Sequence, residues 1–176
     1  MKSVISLVAL AATCATAIPA SRQSFTLTTK SNDPSLNNIA LVDARNSENT
    51  IGTLETIPSK KESPTVFFLE AGTKGRLVTK STTDNSLRYA WGWEPSDVGS
   101  IQFDKIGGAD GTIYYPKFTI TSDNLLVPGG NYSGIGWSFC SPDSDFVAAD
   151  TNLGGPIFLG QDGCTALQGL NVVASD

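Results

Sequence analysis

Gly134-Ile135-Gly136-Trp137-Ser138-Phe139-Cys140 decides how the rest of the chain is read. Ile135, Trp137 and Phe139 alternate with small residues, the period-two pattern of a half-buried strand. The segment ends on Cys140, and the next cysteine, Cys164, opens the closing strand. Cys14 lies in the N-terminal leader, so two cysteines remain and are expected to form one disulfide, Cys140 to Cys164. The loop it closes spans 24 residues (164 minus 140). Such a closure is worth on the order of 3 kcal/mol through the entropy of the unfolded chain.

Outward from that stretch the same period recurs. Ser24 to Lys30, Asn38 to Arg45, Thr50 to Ile57 and Arg76 to Thr79 read as strands, as do Lys117 to Thr121, Pro156 to Leu159 and Ala166 to Val173. Thr65 to Glu70 is a more continuous apolar run, expected as a central strand covered on both faces. In Ser86 to Trp93, Leu87, Tyr89 and Trp91 fall on one face and are expected to point inward. Asn32-Asp33-Pro34-Ser35, Ser122-Asp123-Asn124 and Gly107 to Gly111 are turn chemistry. Past the leader no helical period is sustained for as long as about ten residues. The expected fold is all-β, an antiparallel sandwich or barrel in a single domain.

Met1-Lys2, the apolar run Val4 to Ala12 and Ala15-Thr16-Ala17 read as a secretory signal peptide over 1–17. Residues 18–23 then form a short linker and 24–176 the β-rich domain. The mature chain would hold 159 residues (176 minus 17), enough for a sizeable core. Removing Lys2 leaves 11 basic residues against 17 acidic ones, a net charge of −6. An acidic surface with no basic cluster beyond Lys60-Lys61 disfavours nucleic acid and anionic lipid as partners.

The chain has no histidine. This excludes Ser-His-Asp and Cys-His nucleophiles, imidazole ligation of zinc and a histidine general base. No catalytic set, metal site or cofactor is assigned. Among carboxylates, Glu70, Glu94, Asp97 and Asp104 lie in or beside strands. A glycosidase needs two such groups about 5 to 9 Å apart. Asp143, Asp145, Asp150 and Asn152 concentrate oxygen ligands but lack the spacing of a calcium-binding loop, and are read as a solvated acidic segment. Trp91 and Trp93, either side of Gly92, share a face and could offer a stacking platform to sugar rings, or could both belong to the core. Asn131-Tyr132-Ser133 is an N-glycosylation sequon in a glycine-rich loop.

The arrangement of the leader, Phe25-Thr26-Leu27-Thr28-Thr29-Lys30, Gly136 to Cys140 and the closing Cys164 to Val172 resembles small secreted proteins of filamentous fungi. More distantly it resembles mould cell-wall proteins linked to spore-forming cells. The resemblance implies an extracellular or cell-wall β-rich protein and carries no catalytic residues. The expected function is non-enzymatic, with cell-wall polysaccharide or a host protein as partner. The alternatives are a carbohydrate-active enzyme using paired carboxylates and an effector recognised by a host.

Overall fold

The computed structural model describes residues 23–45, 51–57, 63–72, 74–92, 99–105, 114–143 and 154–175. The leader, Lys60-Lys61, Trp93, Glu94, Asp97, the 107–111 turn and Asp145 to Asn152 lie outside the described residues. The described chain is all-β. Its strands are β1 (Phe25–Lys30), β2 (Leu41–Arg45), β3 (Gly52–Thr56), β4 (Phe67–Leu69), β5 (Leu77–Lys80), β6 (Leu87–Trp91) and β7 (Gly99–Ser100). There follow β8 (Gln102–Asp104), β9 (Lys117–Ile120), β10 (Leu125–Gly129), β11 (Trp137–Phe139), β12 (Ile157–Leu159), β13 (Thr165–Ala166) and β14 (Gly169–Ala174).

A ten-stranded sheet runs β2-β3-β8-β6-β5-β4-β1-β14-β10-β9, and a four-stranded sheet runs β13-β11-β12-β7. Neither closes into a barrel; the two face each other as a sandwich. The pairings are antiparallel, and the first strand meets the last over its full length, from Phe25 opposite Ala174 to Lys30 opposite Gly169. The chain passes between sheets at Ile101: β7 pairs with β12, β8 with β3, and the Leu54 amide donates to the Ile101 carbonyl at 2.9 Å.

Local chemistry explains the turns. Asn85 and Asn124 adopt left-handed backbone, φ 58° and 55°, a conformation asparagine tolerates better than most residues. They close the β5–β6 and β9–β10 connections, with the Asn85 amide on the Ser81 carbonyl and the Asn124 amide on the Thr121 carbonyl. In the β1–β2 connection, Asp33 caps a short 3-10 turn over Pro34–Leu36 by accepting from the Ser35 amide at 2.8 Å. Buried Thr29 holds that connection down: its hydroxyl accepts from the Ile39 amide at 3.0 Å.

One apolar core lies between the sheets. Phe25 and Leu27 of β1, Leu54 of β3, Phe67 of β4, Leu77 of β5, Phe103 of β8 and Phe118 of β9 meet Trp137, Ile157 and Leu159 of the smaller sheet. The Phe67 and Phe103 rings lie 5.6 Å apart, and Trp137 stacks on Phe118 at 5.8 Å. Trp137 also donates its indole N–H to the Leu126 carbonyl at 2.9 Å. The residue at the centre of the deciding stretch thus fastens the smaller sheet to β10 of the larger. Cys140 and Cys164 form the expected disulfide, with Cα atoms 4.7 Å apart.

Two expectations are corrected. In β6 the phase is reversed: Arg88 and Ala90 are buried on the core side, while Leu87 and Tyr89 lie half-buried on the outer face. The register sets this, because Ala90 stands opposite Phe103, which is wholly buried in the core. β4 is central in the sheet but not covered on both faces: Phe67 is fully buried and Phe68 only half-buried.

Candidate functional site

The outer face of β4, β5, β6 and β8 is built by register. Phe68 stands opposite Val78, Val78 opposite Tyr89, and Tyr89 opposite Asp104, so these four side chains form one row across four strands. Two residues along, alternation puts Glu70 and Arg76 on the same face. The Glu70 amide donates to the Arg76 carbonyl at 2.9 Å, closing the β4–β5 turn. An isolated bridge between Arg76 and Lys117 draws the start of β9 alongside, and with it Tyr115.

Arg76 is the hub. Its Nε donates to Oε2 of Glu70 at 2.5 Å, and the guanidinium lies over two rings, 4.7 Å from the Tyr89 centroid and 5.4 Å from that of Tyr115. Lys74 adds a longer contact, its Nζ 3.6 Å from Oε1 of Glu70. The hydrogen bond from Arg76 holds the Glu70 carboxyl below its usual pKa, and the same bond raises that of Arg76. Both are charged at neutral pH. Tyr89, Tyr115, Glu70 and Arg76 are all half-buried, which fixes their orientation while leaving them reachable. The guanidinium covers one face of each ring, and beside it the Glu70 carboxylate and the remaining guanidinium N–H groups offer acceptors and donors of the kind sugar hydroxyls use.

Trp91 belongs to this outer face, two residues beyond Tyr89, but is only 6% exposed. It forms no open platform; Tyr89 and Tyr115 are half-buried, as is Phe68 in the same row. Nothing in the sequence pattern singled out Tyr115 or Arg76, because their meeting depends on a bridge between residues 41 positions apart (117 minus 76).

A second concavity, about 270 Å³, lies beside the disulfide, lined by Gly136, Trp137, Ser138, Gln161, Asp162 and Cys164 among others. Its polar groups are partly engaged: Ser138 accepts from the Gln161 amide at 3.2 Å and Trp137 donates to Leu126. It is small for an organic ligand.

Among the described residues the candidate carboxylates do not pair. Glu70 and Asp104 share the outer face but sit on β4 and β8, three strand spacings apart, roughly 14 Å. The side chains of Asp43 and Glu55 are both buried, and their strands carry them to opposite faces. On the inner face Oδ2 of Asp43 accepts from Nη2 of Arg45, while burial pushes the carboxyl up to about 6 against the pull of Arg45 and Arg88. Glu55, on the outer face beside Val42, Ala44 and Ile57, is raised to about 7 by burial. Among the described residues no cluster of three or more His, Cys, Asp or Glu is placed to hold a metal ion. Asp143 is exposed; the rest of its acidic segment lies outside the described residues. Asn131 and Ser133 are exposed around a 3-10 turn, Gly130–Tyr132.

Comparison with family models, with curated proteins and with solved structures found no match for the chain. What fold and site define is a class: a disulfide-bonded antiparallel β-sandwich with an aromatic and charged outer sheet face. The disulfide points to an oxidising environment. No helix among the described residues is long and apolar enough to cross a membrane.

Proposed function

We propose that this is a secreted, non-catalytic protein of the fungal cell wall or secretome that binds wall polysaccharide through the Glu70–Arg76–Tyr89–Tyr115 face. The observation that carries the reading is the Arg76 guanidinium held over two tyrosine rings and locked by Glu70 on an outer sheet face. Sheet strands keep these groups at fixed spacing, so a repeating polymer meets a preorganised surface at little entropic cost. The divergence of Glu55 from Asp43, and the separation of Glu70 from Asp104, support binding over hydrolysis.

Capture of the purified protein on insoluble β-glucan, chitin and cellulose tests the reading. Binding to one polymer, lost in Tyr115→Ala and Arg76→Ala variants that keep wild-type circular dichroism, is the expected result. Equal retention by both variants would remove the assignment.

A further inference from the structure

The β2–β3 hairpin carries an acid in a setting that disfavours its charged form. Glu55 is wholly buried, and neither carboxylate oxygen has a hydrogen-bond partner among the described residues. Its described neighbours on that face are uncharged: Val42 directly opposite, then Ala44, Ile57 and Thr53. From the adjoining 154–156 segment it meets Pro156, through an isolated bridge. From β8 the nearest same-face side chain in the register is Gln102, opposite Thr53; Asp104 lies two residues further, away from Glu55. The charged groups of β2, Asp43 and Arg45, project to the opposite face. No described cation therefore offsets a charge on Glu55, and an ionised carboxylate in such a site is strongly disfavoured.

The contacts beside Glu55 are those that hold β3 to the smaller sheet. The Thr56 amide donates to the Gly155 carbonyl at 3.1 Å, the Gly154 amide donates to the Thr56 carbonyl at 3.0 Å, and the Thr56 hydroxyl donates to the Gly155 carbonyl at 3.2 Å. The Ile57 amide donates to the Ala40 carbonyl at 2.9 Å.

We infer that this junction is a proton-controlled latch: with Glu55 neutral, β3 stays fastened to the 154–156 segment, and loss of the Glu55 proton opens that contact to water. The carboxyl gains hydration only by leaving its site, and the hydrogen bonds of Thr56 and Gly154 go with it. The device is independent of the outer aromatic face, and failure of either leaves the other standing.

The test is an NMR titration of the Glu55 side-chain carbon in the full protein, with amide hydrogen-exchange protection of Gly154, Thr56 and Ile57 followed alongside. The carbon is expected to titrate near 7, and protection at the three amides to fall about tenfold between about pH 6 and 8 relative to Leu27 in β1. Glu55→Gln should keep protection across that range, and Asp43→Asn should still lose it. A Glu55 midpoint in the ordinary carboxyl range, or a Glu55→Gln variant that loses protection as wild type does, would overturn the latch. The titration needs no variant, so a poorly folding substitution leaves the test intact.

Discussion

Asp43 reaches diagonally across the β2–β3 hairpin to Gly52, so close that a Cβ at position 52 would stand 1.5 Å from its Oδ1. The carboxylate occupies the space a side chain would need, and it is held there by Arg45 on its own strand. Gly52→Ala should therefore force the Asp43–Arg45 pair to move and cost roughly 1–3 kcal/mol. A chemical-denaturation midpoint equal to that of wild type would contradict the packing.

Both buried acids make stability depend on pH in the same direction. Each has a folded pKa above its ordinary value, Asp43 about 6 against 3.8 and Glu55 about 7 against 4.5. Between those limits the unfolded chain binds fewer protons, so stability falls as pH rises and levels off above the folded values. Thermal melts should show the midpoint highest on the acid side, near pH 4 to 5, and lower by about 5 to 10 °C at neutral pH. An Asp43→Asn/Glu55→Gln double variant should flatten that dependence.

Fixing the closing loop through Cys140 and Cys164 should contribute about 3 kcal/mol. Reduction, or a Cys140→Ser/Cys164→Ser double variant, should lower the melting temperature by about 6 to 12 °C. Unchanged melting in reductant, with the bond shown by mass to be broken, would refute this.

Trp137→Phe tests the fastening between the sheets. It leaves the Leu126 carbonyl without its indole donor and opens space beside Phe118, a loss of about 1–3 kcal/mol. Denaturant titration followed by circular dichroism reads it.

The sheet architecture was legible because β1 and the Trp137 segment alternate cleanly and because turn asparagines punctuate the chain. The disulfide followed from two remaining cysteines. The face of β6 was not legible. A rule that sends large apolar residues inward chooses Leu87, Tyr89 and Trp91, yet the core side accommodates Ala90 against Phe103 and draws in Arg88 as a countercharge to Asp43. Volume and charge on neighbouring strands set that phase, and neither is written in the segment itself. The candidate site was hidden for a related reason: Tyr115 reaches Arg76 only through long-range pairing.

The outer face is most directly tested by mapping amide and side-chain NMR shifts during titration with soluble oligosaccharides of β-glucan and chitin. Saturable shifts centred on the Arg76 Nε–H and the rings of Tyr89 and Tyr115 are expected, with the Trp137 indole unmoved. Shifts centred instead on the cleft between Trp137 and Cys164, or none with any oligosaccharide, would contradict the assignment.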